Sequence, residues 1–186
     1  MDFNLMPLGQ VIRSYDEDYV KNMLQSYHDC IGSDQERFLK ENSIVMEKKD
    51  MCRTYLAIDK DDVTSILGYV SIGLRCLSVP DETSLSKSFS KRMNIDPDTK
   101  VAQSYLIGQL SRSKDAPPGL GRSILTDALN LFFSAKKIVG CRLVRVDCSD
   151  DLREYYRDMG FNWVMRNKGK DLNQMVYILS SPDGTV

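Results

Sequence analysis

The stretch Gln109-Leu-Ser-Arg-Ser-Lys-Asp-Ala-Pro-Pro-Gly-Leu-Gly-Arg122 is the best guide to the fold. It leads from an apolar, strand-like segment through a turn rich in glycine and proline into a helix. Gly119 and Gly121 let the backbone approach a ligand closely, and the N–H groups that open the following helix carry partial positive charge. This arrangement predicts a cradle for the phosphates of a cofactor. A plain helix start that is entered through a tight turn would need the same two glycines.

The sequence after this stretch alternates between helical and strand-like patterns. Apolar residues repeat at three- and four-residue steps over about five turns, which predicts a helix with one apolar face. They are Ile124, Leu125, Ala128, Leu129, Phe132, Ala135 and Val139, and Gly140 ends the helix. We then expect a strand at Arg142–Cys148, N-cap residues at Ser149–Asp151, a helix carrying Leu152, Tyr155, Tyr156 and Met159 up to Gly160, and strands at Asn162–Arg166 and Gln174–Leu179.

Two motifs in this region resemble those of the GNAT (GCN-type N-acetyltransferase) family. The loop Ala116–Gly121 resembles the family's pyrophosphate motif, which is Gln or Arg, two free positions, Gly, one free position, then Gly or Ala. Tyr155–Phe161 resembles the family's aromatic-Tyr-x-x-x-Gly-Phe motif. The motifs stand in the family's order with a strand between them, and the resemblance covers residues 50 to 179, most strongly 104 to 163.

One position departs from the family's pattern. Ala116 stands where the family usually has Gln or Arg, so its side chain cannot help to hold the loop. We expect Pro117 and Pro118 to supply the rigidity instead, because proline fixes a backbone angle.

The resemblance implies an α/β fold with a mixed, mostly antiparallel central sheet flanked by helices, in a single domain over residues 1–186. Helical spacing and capping residues in the N-terminal half agree with this element order. The elements predicted there are a weakly marked strand at Leu8–Arg13, a helix from Asp16 to Ile31 closed by Gly32, a helix from Ser33 to Lys49 that buries Phe38, Leu39, Val45 and Met46, and strands at Cys52–Ile58 and Ile66–Leu74 joined as a hairpin.

The same resemblance implies which residues perform the chemistry. Acetyl-CoA would lie along the strand at 105–112, where a backbone N–H near Leu110 would stabilise the oxyanion formed as an amine attacks the thioester. Tyr156 occupies the family position of the general acid that protonates the departing thiolate, although a Tyr on an amphipathic helix is also typical of a core residue. The cofactor-binding residues implied are Leu110, Ser111, Arg112, Lys114, Gly119, Leu120, Gly121, Arg122 and Ser123, with Arg112, Lys114 and Arg122 as candidates to neutralise phosphates and no metal in the site.

Other reactive side chains carry weaker signals. The general base is left open between Asp147, Glu47 and a chain of water molecules. His28, the single histidine, has no second metal-type ligand one turn away, so we interpret it as an ordinary core or surface residue. Cys148 ends a strand near the expected thioester, but no cation beside it is evident, so a nucleophilic role is disfavoured.

Composition limits the class of protein. The chain has 25 Lys and Arg against 26 Asp and Glu, so no global positive charge attracts nucleic acid or a membrane surface. The five cysteines are odd in number and include no Cys-x-x-Cys pair, which disfavours a disulfide scaffold or a zinc ribbon. Neither a signal peptide nor a membrane-spanning segment is evident, so we expect a cytoplasmic protein.

The polar stretch 78–103 either holds a short helix or is a functional loop, because an unstructured connection of this length is unusual inside a domain. Lys87, Lys91 and Arg92, together with Phe89, could contact an acidic or nucleic-acid partner, although a small charged cluster is usually a solvated face. By the family resemblance this stretch borders the acceptor side.

Three functions are compatible with these features. The first is direct transfer of an acetyl group from acetyl-CoA to a primary amine, whose type the sequence does not identify. The second is a toxin of a toxin–antitoxin pair that acetylates aminoacyl-tRNA, since such toxins share the size and both motifs. The third is a non-catalytic CoA-binding module, which Ala116 favours. Whether the chain forms a homodimer or has an antitoxin partner is left open.

The charge of the chain bears on the second function. A protein that acts on tRNA needs a basic surface, and the balanced overall charge disfavours nucleic-acid binding without excluding a local patch. The residues that could form such a patch are Lys87, Lys91, Arg92, Lys136 and Lys137.

Overall fold

The computed structural model describes residues 2–30, 33–79, 85–167, 169 and 171–180. Within these ranges, seven strands form a mixed sheet in the order β1-β2-β3-β4-β5-β7-β6. The strands are β1 (Phe3–Pro7), β2 (Arg53–Asp59), β3 (Ile66–Ser78), β4 (Val101–Arg112), β5 (Leu143–Cys148), β6 (Asn162–Arg166) and β7 (Asn173–Ile178). β4 and β5 are parallel, and the pairs β1–β2, β2–β3, β5–β7 and β6–β7 are antiparallel. The predicted mixed, mostly antiparallel sheet is confirmed.

Helices connect the strands in the predicted order. They are α1 (Leu8–Ser14), α2 (Glu17–Gln25), α3 (Asp34–Arg37), α4 (Ser43–Lys48), α5 (Lys87–Arg92), α6 (Leu120–Val139) and α7 (Arg153–Asp158), with a π-helical turn at Phe38–Asn42 and a 3-10 turn at Asp150–Leu152. None of the helices in the described ranges is both long and apolar enough to cross a membrane.

The chain divides into two compact units. The first comprises residues 1–73 and 108–128, and the second comprises residues 74–107 and 129–186. Each has a core of its own. The first core is formed by Leu8, Val11, Val20, Met23, Leu24, Tyr27, Leu39, Ile44, Leu56, Ile58, Ile66 and Tyr69, and the second by Leu77, Val79, Met93, Ala102, Leu143, Val164 and Val176. That residues 1–186 act as a single domain stays a prediction.

The prediction of a strand at Leu8–Arg13 is wrong. These residues lie in α1, and the first strand precedes them and pairs antiparallel with β2. Leu8 and Val11 are buried, three positions apart as on one face of a helix. Pro7 ends an edge strand, where the missing N–H of proline removes no bond from the ladder.

The helix predicted over Asp16–Ile31 is shorter than expected. Asp16 caps α2 by accepting a hydrogen bond from the Asp18 N–H at 2.9 Å, but the helix ends at Gln25, and residues 31 and 32 lie outside the described ranges. The chain leaves the helical path because Asp29 forms an isolated antiparallel bridge with Ser113. A contact between residues so distant in sequence leaves no trace in local periodicity.

The helix predicted over Ser33–Lys49 is confirmed as α3, the π-helical turn and α4 in succession. Ser33 caps it by accepting from the Gln35 N–H at 3.1 Å. Val45, which was expected on the apolar face, is exposed. Glu47 is buried instead, because its carboxylate accepts the Thr54 N–H of β2 at 2.9 Å.

The stretch 78–103 holds a short helix, which was one of its two interpretations. Ser86 caps α5 by accepting from the Phe89 N–H at 3.1 Å, and residues 80–84 lie outside the described ranges. Phe89 packs against the second core. It is therefore not the exposed aromatic contact that the sequence suggested.

The C-terminal elements match the predictions to within a few residues. Two positions that were placed on apolar faces, Leu152 and Val139, are exposed at the ends of their helical segments. Ser149 makes no capping hydrogen bond, and the 3-10 turn delays the start of α7 to Arg153.

Candidate cofactor and catalytic site

The glycine loop opens directly into α6. Gly119 has φ +90, a backbone conformation that favours glycine, and a Cβ added there would meet no atom within 4 Å. Arg122 and Ser123 donate their N–H groups back to the Gly119 carbonyl at 3.0 and 3.3 Å. Among the described residues, no backbone acceptor is recorded for the N–H of Gly119 or Gly121. The two motif glycines thus present open backbone donors at the start of a 20-residue helix.

A hydrogen bond from the preceding strand holds the loop. Arg112 Nη1 donates to the Ala116 carbonyl oxygen at 3.1 Å, and the Ala116 N–H donates to the Ser113 carbonyl oxygen at 3.1 Å. Ala116 itself is buried. The loop is therefore held through the backbone of Ala116, by a side chain four positions earlier. This was missed in the sequence, where the prolines were expected to supply all of the rigidity and Arg112 was a candidate for neutralising phosphate.

A close approach of backbones fixes β4 beneath the helix. A Cβ on Gly68 of β3 would lie 2.7 Å from the Ser111 carbonyl oxygen and 2.6 Å from Ile124 Cδ1. Only glycine leaves room for the strand and the first turns of α6 at these distances. Sequence inspection did not single out Gly68, because it lies inside an apolar strand without any motif.

The segment after α2 supports the end of β4 from within the same unit. The Tyr27 hydroxyl donates to Ser111 Oγ at 2.8 Å, and the Lys114 N–H donates to the His28 carbonyl oxygen at 2.9 Å. His28 Nδ1 lies 3.1 Å from Glu36 Oε1. His28 is therefore an exposed residue in hydrogen-bond contact with Glu36, in agreement with its interpretation as an ordinary residue.

Glu36 is the charged centre of this support. It accepts from Lys40 Nζ at 2.5 Å and from the Asp29 N–H at 2.9 Å. These bonds, the one from Lys40 above all, lower the pKa of Glu36 to about 2. The carboxylate of Glu36 therefore stays ionised at any physiological pH and keeps its bond to the Asp29 N–H. The residue before Asp29, His28, accepts the Lys114 N–H through its carbonyl oxygen.

Leu110, whose backbone N–H is the predicted oxyanion donor, lies near the end of β4. Pairing of β4 with β5 covers Ser104–Ile107 and does not include Leu110. The Ser113 N–H donates to Leu67 of β3 at 2.8 Å. Because N–H groups alternate in direction along a strand, the N–H of Leu110 is directed away from β3. Its assignment as a catalytic donor stays a prediction.

Tyr156 lies in α7, in the second unit. Its ring is buried, 5% exposed, and packs edge-to-face on Phe161 with centroids 5.4 Å apart. Burial raises the pKa of Tyr156, so the phenol stays protonated at neutral pH. A protonated hydroxyl is the state that a general acid requires, and a packed ring is also what a core residue would show.

The two carboxylates considered as general bases have structural partners. Asp147 receives two bonds from the buried Arg145, from Nε and from Nη2, both at 2.8 Å. Glu47 is held by the Thr54 N–H. Both carboxylates therefore have structural contacts, and the choice of general base stays a prediction with three alternatives.

Cys148 shows no sign of activation. The thiol is buried, and burial raises the pKa of Cys148 to about 11 even though Arg153 acts in the opposite direction. The thiolate is therefore scarce at neutral pH, in agreement with the expectation that Cys148 is not a nucleophile.

The remaining predicted residues differ in exposure. Lys114, Arg122 and Ser123 are exposed beside the loop, and Leu120 is buried at the first position of α6. The predicted cofactor-binding residues all belong to the first unit, whereas Tyr156 belongs to the second. Within the described ranges, no group of three His, Cys, Asp or Glu side chains is arranged to hold a metal ion.

A separate groove of about 400 Å³ lies in the second unit, between α7 and the strands β6 and β7. Arg153 lies over the Trp163 ring at 5.6 Å, and Trp163 Nε1 donates to Asn173 Oδ1 at 2.9 Å. Asp150, which lines the groove, accepts hydrogen bonds from Arg166 Nη2 at 2.8 Å and Asn173 Nδ2 at 2.7 Å. The indole N–H of Trp163 and both carboxylate oxygens of Asp150 are thus already hydrogen-bonded to neighbouring protein groups.

Comparison with known proteins gives the fold a name. No protein-family model and no curated protein matches the chain. Among solved structures, a tyrosine-to-phenylalanine mutant of KacT superposes with a TM-score of 0.74 at 20% identity, covering 96% of both chains. AtaTR bound with acetyl-CoA gives 0.69 at 21% identity, covering 96% of this chain and 94% of the other. AtaT and KacT are toxin acetyltransferases with the GNAT fold. The chain has the GNAT fold.

A third structure with the GNAT fold carries a different ligand. AtaT complexed with acetyl-methionyl-tRNA superposes with a TM-score of 0.67 at 20% identity, covering 83% of this chain and 86% of the other. The GNAT resemblance that two short motifs indicated is thus matched over nearly the whole chain.

Proposed function

We propose that the chain transfers the acetyl group of acetyl-CoA directly to the α-amino group of an aminoacyl-tRNA. The observation that carries the proposal is the glycine loop, whose two open N–H groups begin α6 within a fold matched by acetyl-CoA and acetyl-aminoacyl-tRNA complexes. Of the functions considered from the sequence, acetylation of aminoacyl-tRNA is the one that these complexes support better than transfer to an unspecified primary amine.

The cradle fits the anionic part of acetyl-CoA. The N–H groups of Gly119 and Gly121, together with the partial charge of the helix start, bind pyrophosphate oxygens. Space at the missing Cβ of Gly119 lets the ligand reach the backbone. Lys114 and Arg122 are exposed beside the loop and add positive charge. Arg112 contributes by keeping the loop in place.

Two groups of the chain act on the thioester in this proposal. The Leu110 N–H donates to the carbonyl oxygen as the amine attacks the carbonyl carbon, and so stabilises the negative charge that develops there. The C–S bond then breaks, and the Tyr156 hydroxyl gives its proton to the departing thiolate. The surplus proton of the amine leaves through water, because Asp147 and Glu47 are engaged elsewhere, and a proton from water restores the Tyr156 hydroxyl.

The acceptor is the part of the proposal that the similar structures support most. AtaT has been solved with acetyl-methionyl-tRNA and with the C-terminus of the antitoxin AtaR. We therefore propose an aminoacyl-tRNA as acceptor and an antitoxin-like protein as partner. The balanced net charge, which disfavoured nucleic acid in the sequence, reports only the sum over the whole surface.

The deciding experiment offers acetyl-CoA with aminoacyl-tRNA, with small amines or with peptides, and identifies the acetylated product by mass spectrometry. We expect N-acetyl-aminoacyl-tRNA as the main product. Gly121→Glu is the matched control, since a carboxylate in the cradle blocks and repels the pyrophosphate. Acetylation of peptides or small amines alone would assign a different acceptor. Tight binding of acetyl-CoA without any product would indicate a non-catalytic binding module.

A further inference from the structure

In the second unit, basic side chains from two helices bond two consecutive C-terminal residues. Arg92 of α5 donates from Nη2 to Ser180 Oγ at 2.7 Å, and Lys136 of α6 donates from Nζ to the Leu179 carbonyl oxygen at 2.8 Å. The Leu179 N–H in turn donates to the Arg142 carbonyl oxygen at 2.8 Å. Two helices and the start of β5 therefore converge on two consecutive residues.

These contacts define what we call the α5–α6 basic cluster. It consists of Lys87, Lys91, Arg92, Lys136, Lys137 and Arg142. Lys87 and Lys91 are four positions apart on α5 and so lie on one side of it. In the sequence these residues fall in separate segments, and the contacts at Ser180 and Leu179 connect Arg92 of α5 with Lys136 of α6.

Five of the six cluster residues have no recorded ion pair with a described carboxylate. Ion pairs with described carboxylates within 4 Å are recorded for Lys21, Lys48, Lys60 and Arg37 in the first unit, but for none of Lys87, Lys91, Arg92, Lys137 and Arg142. Asp96, the acidic residue nearest in sequence to α5 on its C-terminal side, instead accepts from the Thr99 N–H at 2.7 Å within its own turn. Among the described residues, these five cations therefore have no recorded carboxylate partner, although the whole chain has a net charge of −1.

The chemistry of the cluster favours a phosphate backbone over a sequence-reading contact. Phe89, the aromatic residue of α5, packs against the second core and is not available to stack on a base. Lys87, Lys91 and Lys137 of the cluster are exposed, and exposed ammonium groups neutralise backbone phosphates without reading the sequence.

We infer that the α5–α6 basic cluster binds the phosphate backbone of the tRNA acceptor. This inference rests on the proposed function and extends it, since it says where the RNA is held. The contact is electrostatic and independent of sequence. It sets the affinity for RNA and leaves the chemistry at the amine to other residues.

The test compares two triple variants that lose the same charge in different places. The first is Lys87→Gln/Lys91→Gln/Lys137→Gln, in the cluster. The second is Lys21→Gln/Lys49→Gln/Lys60→Gln, which removes three exposed lysines of the first unit. Binding of deacylated tRNA is titrated from about 50 to 200 mM salt, and log K is plotted against log salt.

We expect the cluster variant to bind deacylated tRNA roughly tenfold or more weakly, and its salt slope to be smaller by about one for each phosphate contact removed. The first-unit variant should keep the wild-type slope. Equal losses of tRNA affinity in both variants would mean that only the overall charge matters. An unchanged salt slope in the cluster variant would mean that the cluster does not bind RNA and binds another partner, such as an acidic protein. Either result overturns the inference.

Kinetics separate this inference from the proposed function. The cluster variant should raise the KM for aminoacyl-tRNA while leaving acetylation of an aminoacyl-adenosine, which lacks the RNA body, unchanged. If the wild type acetylates neither substrate, the proposed function is wrong, and the binding titration with deacylated tRNA still decides whether the cluster holds RNA. An equal loss on both substrates would overturn the surface assignment.

Discussion

The guanidinium of Arg112 bonds the carbonyl oxygen of Ala116 at 3.1 Å, so the strand that leads into the glycine loop also holds that loop. We expect Arg112→Ala to weaken acetyl-CoA binding by roughly tenfold, since a hydrogen bond from a charged donor contributes about 1.5–3 kcal/mol. Calorimetry measures the affinity. Hydrogen exchange of the loop amides, without ligand, should become faster in the same variant.

The hydrogen-exchange readout separates holding the loop from neutralising phosphate. Lys114→Ala is the matched control, because it removes a neighbouring exposed cation. It should weaken binding slightly without altering exchange in the loop. If hydrogen exchange of the loop amides is unchanged in Arg112→Ala, Arg112 does not hold the loop and is better interpreted as a phosphate ligand.

Gly68 allows β3, β4 and α6 to approach one another, so replacing it should lower the stability of the protein. In Gly68→Ala the new Cβ would lie 2.7 Å from the Ser111 carbonyl oxygen, a backbone atom that cannot move alone. We expect a loss of about 1–3 kcal/mol in stability, as for other overpacked sites, and weaker acetyl-CoA binding. Gly73→Ala on the same strand is the control, since its nearest atom would be 3.4 Å away. Equal melting temperatures for the two variants would contradict the close approach.

Tyr156→Phe deletes a hydroxyl and keeps the ring that packs on Phe161. If Tyr156 is the general acid, turnover should fall by roughly ten- to a thousandfold while acetyl-CoA affinity and melting temperature stay nearly unchanged. Tyr155→Phe serves as control, because adjacent helix residues point about 100° apart. Full turnover in both variants with the true acceptor would make Tyr156 a core residue.

The lowered pKa of Glu36 predicts a pH dependence of stability. A carboxyl group whose pKa falls from 4.5 to about 2 on folding stabilises the folded state above pH 4.5, and this contribution is lost as the pH falls toward 2. Glu36→Gln should therefore lower the melting temperature by a few degrees at pH 7, and the difference should vanish near pH 2. Glu41→Gln, at an exposed position of the same helical segment, should show no such difference.

The cysteines should differ in reactivity. Cys30 and Cys76 are exposed, whereas Cys148 is buried with its pKa raised to about 11. Alkylation of the native protein at pH 8, read by mass spectrometry, should modify Cys30 and Cys76 first and Cys148 only after unfolding. Rapid modification of native Cys148 would reopen a covalent mechanism.

The sequence by itself determined the features that depend on neighbours along the chain. The helix at Leu120–Val139 and the strands β5 to β7 follow from spacings of two to four residues, and the loop motif follows from glycine's backbone freedom. The two motifs were enough to indicate the GNAT fold, since their order and separation are themselves properties of the sequence.

Tertiary structure decided what depends on residues far apart in the chain. Leu8–Ser14 is a helix because Leu8 and Val11 pack into the first core, and α2 stops early because Asp29 bridges to Ser113. Arg112 holds the glycine loop through a hydrogen bond to Ala116. Arg92 and Lys136 form hydrogen bonds to the consecutive residues Ser180 and Leu179. Packing and hydrogen bonds across such separations depend on where the folded backbone brings each side chain, which local spacing does not encode.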